Sequence, residues 1–395
     1  MNSEMQSYFK DHLYTEAKHK RFLHELQTSC GSPIDFRISE MPIFVDYAMR
    51  TTLVEYAIEI LKLSIQAHRN LDITNPIPNK YNVPNESDNP LFSVIDFAIT
   101  KNPNGEFEPK VIELQGFPSL FGYQLRFAQS MKHVYDLGSF TPFPEDLEEQ
   151  TYVDILRANL VGQYDPDETC LLEYKPEQQK TKPDFSVIEQ ITGMKTTDIQ
   201  SVKQVGNQLF HQRNGKWVRI RRVFNRAIAD ELDENNVELP FQWNQDIDIE
   251  WAGHPNWYFT ISKHILPFLS HPAIPTSTIL SEIEQIPASL EPFVVKPLFA
   301  FAGKGVIINP TRSDIEAIPS RNRSSYMLQE KVEYADCIDT PHGKNKVEIR
   351  IMLIWPESHS DPIPVMTLAR TGRGLMMGTR YNNLPWTGSS GCLFG

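Results

Sequence analysis

The segment Phe92–Gly122, FSVIDFAITKNPNGEFEPKVIELQGFPSLFG, decides how the rest of the chain is read. Two apolar runs, 92–99 and 109–114, flank a stretch of Asn, Pro and Gly, the pattern of two strands joined by a turn. Side chains alternate faces along a strand, so Glu113 and Gln115 point the same way, and Asp96 can join them from the neighbouring strand. Three oxygen-bearing side chains then converge at one end of a sheet. Oxygen-only ligands suit Mg2+, which takes one or two carboxylates and leaves room for phosphates. The competing reading is a hairpin whose acidic residues lie on a solvated face. A helix follows, with Ser119 as its expected cap.

The chain has 395 residues, enough for two or three subdomains and a sizeable core. A formal net charge of -12 argues against non-specific nucleic-acid binding, which needs a basic surface. Four cysteines, Cys30, Cys170, Cys337 and Cys392, are scattered without a CxxC pair, so no zinc site or disulfide framework is expected. The polar N-terminal residues carry no signal-peptide core, and no apolar run is long enough to span a bilayer. The expected setting is soluble, reducing and cytoplasmic, with no membrane partner.

Outward from the hairpin, the first thirty residues read as polar helix. Residues 43–66 read as one helix, with Tyr47, Val54, Ile58, Leu61 and Ile65 on a stripe and Pro42 in its first turn. Residues 73–90 read as a loop. After the hairpin, Leu125, Ala128, Met131 and Val134 mark the inward face of a helix ending near Gly138. From 152 to 250 the pattern is α/β: a strand at 169–174, a helix at 185–192, and a hairpin turned by Asn214-Gly215. The basic run 218–226 ends in Arg226, where ligand contacts sit in α/β sheets, while Arg219 and Arg221 suit a solvated edge. Residues 232–250 read as an acidic surface loop. Residues 255–269 read as a helix, with Trp257, Ile261, Ile265 and Phe268 inward and Lys263 between them.

At 292–309 the sequence PFVVKPLFAFAGKGVIIN gives a strand ending in Lys296, a small-residue loop with Gly303, Lys304 and Gly305, and a second strand. Glycines allow backbone to approach phosphate, and successive N–H groups can form an anion nest. The loop is not a Walker loop, since GKS/T is absent and strand follows. YMLQEKVE (326–333) reads as a strand entering a hinge, followed by strands VEIRIMLIW (347–355) and PVMTLAR (364–370). The tail 371–395, dense in Gly, Asn, Ser and Thr, reads as a functional loop.

In order, these pieces resemble the ATP-grasp ligases, and more closely the circularly permuted branch of eukaryotic-type glutathione synthetase and glutathionylspermidine synthase. There the metal-binding strand precedes the nucleotide-binding lysines. VIELQGFPSLFG resembles the metal strand, with Gln115 where Asn is usual, and Asp96 matches the acid on the preceding strand. Val94 stands where that branch often has Arg. RVFNRAI resembles the strand ending in a substrate arginine, here Arg226. SKHILPFL and VVKPLFAFAGKGV resemble the segments bearing the two ATP lysines, here Lys263 and Lys296, and the glycine flap. YMLQEKV resembles the adenine hinge, and LARTGRG with TGSSG the C-terminal arginine and substrate loop.

The resemblance implies an α/β (α+β) circularly permuted ATP-grasp fold with nucleotide held between two α/β subdomains. It divides into 1–150 with an N-terminal helical segment and the metal strands, 151–270 as an α/β substrate-side subdomain, and 271–395 with the nucleotide-binding lysine, flap and hinge and the C-terminal substrate loop. It further implies an ATP-dependent carboxylate–amine ligase acting on small amino-acid or peptide substrates through an acyl phosphate. Mg2+ would sit on Asp96, Glu113 and Gln115. ATP would meet Lys263, Lys296, Gly303, Lys304, Gly305, Gln329, Glu330, Lys331 and Glu333. Arg370 and Arg226 would serve catalysis and the substrate carboxylate, with Arg373 or Arg380 nearby. The alternatives are a phosphotransferase on the same fold and a catalytically silent nucleotide-binding protein. A hydrolase built on Cys392 lacks a His partner in the sequence.

Overall fold

The strands read from the opening segment form an antiparallel pair, Phe92–Lys101 with Phe107–Gln115, in a computed structural model that describes residues 1–395 apart from 72, 74, 146, 300–302, 379 and 380. Phe92–Lys101 is buried on both faces along nearly its whole length, so the hairpin does not lie on a solvated face. It is central to a six-stranded antiparallel sheet. The order is Gly388–Ser390, Ile363–Gly372, Gly343–Ile354, Phe92–Lys101 and Phe107–Gln115, with Ile338–Thr340 paired to the start of Gly343–Ile354. Ile95, Phe97, Ile349 and Ile351 join the main core with Phe22, Leu53, Ile60, Phe127 and Met131 of the helices. Strand alternation puts Asp96, Glu348 and Arg350 on the opposite face.

A second, four-stranded antiparallel sheet runs Ser277–Ile279, Tyr326–Glu330, Phe293–Pro297 and Ile307–Ile308. Val295 and Leu328 turn one of its faces to a small core with Leu280, Leu290 and Ile315. Val294, Lys296 and Gln329 occupy the other face by alternation. A third sheet is parallel, in the order Glu250–Trp251, Arg222–Asn225, Thr169–Glu173 and Lys195–Asp198. Its strand order reverses between Thr169–Glu173 and Arg222–Asn225, so Glu173 and Arg226 flank the switch point where α/β sheets take ligands. The architecture is thus a mixed α/β fold. The Asn214-Gly215 turn joins Gln208–Arg213 to Lys216–Ile220, with φ of 48° and 76° as a type I′ turn requires.

Several expected elements differ for local reasons. Residues 43–66 are not one helix: Ile43–Val45 is a buried strand, and the helix Tyr47–Asn70 starts after Asp46, whose carboxylate accepts from the Met49 N–H at 2.9 Å. Residues 255–269 break into a short helix, Trp257–Thr260, and a 3-10 helix, Lys263–Phe268, where Ser262 caps and Pro267 interrupts. In the segment 232–250, Ala229–Glu234 is helical and Phe241 and Trp243 are buried, because these aromatics complete the core beneath the parallel sheet. The helix Phe121–Tyr135 ends at Asp136 in the left-handed region, before Gly138. No described helix is long and apolar enough to cross a membrane.

Ser119 does not cap Phe121–Tyr135. Asp184, from the helix Lys182–Thr192, does so instead. Its carboxylate accepts from the N–H groups of Leu120 at 3.0 Å, Gly122 at 2.8 Å and Tyr123 at 2.9 Å. Asp184→Ala would leave these donors without their acceptor. It is expected to lower stability by roughly 2–4 kcal/mol, read as a lower urea midpoint at unchanged m-value.

Candidate active site

Register sets a lattice of charges on the open face of the central sheet. Glu113, Asp96 and Arg350 lie directly across from one another on adjacent strands, and Arg370 lies across from Glu348. A bulge opposite Asp96 and Phe97 inserts Ile112 into the ladder, so that Ile112 and Glu113 both line one cleft. The Ile112 carbonyl accepts from Lys296 Nζ at 3.3 Å, linking the two antiparallel sheets.

Asp96 is 2% exposed. Arg350 grips it with Nε at 2.6 Å and Nη2 at 2.7 Å, and Arg370 Nη1 adds a contact at 3.1 Å. Burial alone would raise its pKa, but Arg350 and then Arg370 outweigh that and hold the carboxyl at about 2. Arg370 also pairs with Glu348, whose other oxygen accepts from the Tyr334 hydroxyl at 2.8 Å. Burial pushes the Glu348 carboxyl up, with Arg370 opposing.

Above this lattice lies a cleft of about 570 Å3 between the six- and four-stranded sheets. Glu113, Gln115, Glu348, Arg350 and Arg370 line one wall, and Val294, Lys296, Ile308 and Gln329 the other. Lys263 reaches in from its 3-10 helix and pairs with Glu113. Burial, then the charge of Lys263, bring the Lys296 ammonium down to about 8, against Glu113 and Glu348. Gln329 is fully buried, and neither of its amide atoms has a hydrogen-bond partner.

No family model matches the sequence, and no curated protein matches it. Among solved structures, a glutathione synthetase-like effector from Globodera pallida, in its apo form, matches 98% of this chain and 99% of its own. The TM-score is 0.60 at 10% sequence identity. The two chains share one fold.

Within this fold, Glu113, Gln115, Lys263, Lys296, Gly303 and Gln329 meet at the cleft, as do Glu330, Lys331, Glu333 and Arg370. Glu330 accepts from the Thr276 N–H at 3.2 Å, and Lys331 donates to the Glu291 carbonyl at 3.0 Å and to Asn309 Oδ1 at 2.9 Å. Glu333 lies 4.0 Å from Lys331. Gly303, at φ +72°, sits so close to the Met376 side chain that a Cβ would overlap its methyl.

The remaining expected residues lie outside the cleft lining. Asp96 is sealed under Arg350 and Arg370. Arg226 is buried behind Phe117, its guanidinium 5.0 Å from that ring and 5.4 Å from Phe185, with Nε and Nη1 lacking partners. Lys304 pairs with Glu234 at the surface, and Gly305 packs on Pro297. Arg373 donates to the Pro385 carbonyl at 2.7 Å, and Arg380 lies outside the described residues. Cys392 is buried, which pushes its thiol pKa up and suits no nucleophile.

Glu348, Arg350 and Tyr334 were not among the expected site residues. Their signal is the pair Glu348 and Arg350, spaced by two within the otherwise apolar VEIRIMLIW, which puts two charges on one strand face.

A second cavity of about 660 Å3 lies between the parallel sheet and the loop 83–91, lined by Glu86, Asp88, Asp246, Glu250 and Glu357. Its acidic wall does not suit a polyphosphate, whereas the cleft with Lys263, Lys296 and Arg370 does. The orphaned Gln329 amide and the buried lysine fit a nucleotide. The fit to Mg2+ is poor as the side chains stand. Among the described residues no group of three or more His, Cys, Asp or Glu is placed to hold a metal ion. Asp96, Glu113 and Glu348 are each matched to a side-chain cation.

Two outcomes follow from this geometry. Arg350→Met leaves buried Asp96 with Arg370 alone and is expected to cost about 3–5 kcal/mol; adding Asp96→Asn should recover part of it, read by denaturant midpoints. Lys296 with a pKa of about 8 is charged below that pH and neutral above it. Triphosphate affinity of the free protein is therefore expected to fall between pH 7 and 9, and Lys296→Arg should flatten that dependence, both measured by calorimetry.

Proposed function

We propose that the chain is an ATP-dependent carboxylate–amine ligase of the circularly permuted ATP-grasp type, acting on small amino-acid or peptide substrates. The observation that carries the reading is the cleft itself: two lysines, an unsatisfied amide and two arginines line one space between two sheets. The chain order supports the permuted form, since the Glu113–Gln115 strand precedes both lysines. In this reading 1–150 carries the N-terminal helices and the acidic strands, 151–270 the substrate-side subdomain, and 271–395 Lys296, the flap, the hinge and the C-terminal substrate loop. We place the protein in the cytoplasm, a reducing setting suited to its four free cysteines.

When bound, ATP would supply the phosphoryl group that activates a carboxylate as an acyl phosphate. Phosphoryl transfer is largely a matter of positioning and charge neutralisation, and this chain's residues supply both. Lys263 and Lys296 act as compact cations for the phosphates. The Gly303 loop lies against Met376 and helps exclude water from the activated group. Arg370, held by Asp96 and Glu348, faces the cleft to neutralise the reacting carboxylate and the oxyanion formed when the amine attacks. Arg226, behind the Phe117 ring with two donors free, is the residue we assign to a substrate carboxylate. No step is assigned to Mg2+, because the carboxylates expected to hold it are paired with cations.

That same pairing favours a second reading, a protein that binds nucleotide without turnover. ADP release with ATP and Mg2+ across amino acids, peptides and polyamines separates the two. The ligase reading expects release that needs both an acid and an amine, with an amide product by mass. Arg370→Ala should lower kcat/KM by about 100-fold or more while leaving nucleotide affinity within a few-fold. Nucleotide binding without acid- and amine-dependent release leaves the silent protein, and a stable phosphorylated product marks a phosphotransferase.

A further inference from the structure

Gln329 sits on the cleft face of the four-stranded sheet, directly across from Val294 on one side and Ser277 on the other. It is fully buried, yet both its Oε1 and its Nε2 lack a partner. The Ser277 hydroxyl beside it is also unpartnered, so even the simplest internal solution, a Gln–Ser hydrogen bond, is not made. Other polar groups of this corner are taken: Glu330 accepts from the Thr276 N–H, and Lys331 is held by Glu291 and Asn309. A buried amide left open at both ends is costly, and such groups are rare in native proteins unless a ligand completes them.

The missing partner must present a donor and an acceptor side by side. A phosphate offers acceptors only. Lys296 lies two residues along the strand from Val294, about 7 Å away, which puts the phosphate end there and the base end at Gln329. Adenine shows an amino donor next to ring nitrogen N7, the pair a glutamine amide matches in bidentate fashion, whereas guanine shows two acceptors on the same edge.

We propose that the Gln329 side chain is the base-reading residue of the cleft, accepting at Oε1 from the adenine amino group and donating from Nε2 to the adjacent ring nitrogen. The assignment rests on the nucleotide reading given above. It makes Gln329 a specificity determinant, distinct from the hinge residues Glu330 and Lys331.

The test is competitive binding of ATP, GTP and purine riboside triphosphate, which lacks the amino group, to the full chain and to Gln329→Met. The wild-type protein is expected to bind ATP on the order of 10-fold or more tighter than the other two. Gln329→Met should bind all three within about 3-fold of one another. It should also unfold at a higher temperature than wild type when free, since the open amide is gone. Equal wild-type affinities overturn the inference while leaving nucleotide binding intact, as does an ATP preference that survives in Gln329→Met. If none of the three binds, the nucleotide reading falls and this inference with it. Should Gln329→Met not fold, Gln329→Leu takes its place in the same comparison: loss of the ATP preference supports the inference and a surviving preference overturns it.

Discussion

The bidentate grip of Arg350 on Asp96 is the contact on which the remaining arrangement rests. Both side chains are buried at the centre of the main sheet, on neighbouring strands separated by 254 positions in sequence. Neither charge is tolerable there without the other, because a buried ion stripped of its partner keeps its desolvation penalty and loses the attraction that offset it. The pair therefore pins the register of Phe92–Lys101 against Gly343–Ile354. The ladders on either side of this pair then set Glu348 opposite Arg370 and Glu113 opposite Asp96. A chain with a formal charge of -12 thereby keeps a cleft with cationic side chains on both walls.

The two antiparallel sheets divide the work. The six-stranded sheet supplies rigid, mutually paired charges. The four-stranded sheet supplies groups left incompletely satisfied, the Lys296 ammonium with its lowered pKa and the open Gln329 amide. Rigid positioning on one wall and unmet bonding capacity on the other is the combination expected of a preorganised binding site. The bulge at Ile112 joins them, because the extra residue turns toward the cleft and its carbonyl meets Lys296.

Much of this was legible in the sequence where the signal was local. The hairpin around Asn104-Gly105, the strand ending at Lys296, the Asn214-Gly215 turn and the strand ending near Arg370 all follow from alternation and turn chemistry. What escaped was long-range or depended on single residues. Asp96 read as an open ligand because nothing nearby announces Arg350. The local pattern places the cap of Phe121–Tyr135 at adjacent Ser119, whereas the acceptor is Asp184, far along the chain. Apolar spacing around Lys263 predicts a longer helix, but Pro267 and the Ser262 cap shorten it to a 3-10 helix in which Lys263 is buried. The strand Ile43–Val45 reads in sequence as the start of the neighbouring helix, because its partner, Cys392–Phe394, lies at the other end of the sequence.

That last pairing bears on how the molecule comes into being. The parallel ladder between Ile43–Val45 and Cys392–Phe394 joins an early segment to a late one, and Thr141 also bridges to Phe394. During synthesis, the helices packed around the early strand emerge long before their edge can be completed. The nascent chain must wait with apolar surface uncovered until the late segment clears the ribosome. Such late-closing topology slows folding and lengthens exposure to aggregation.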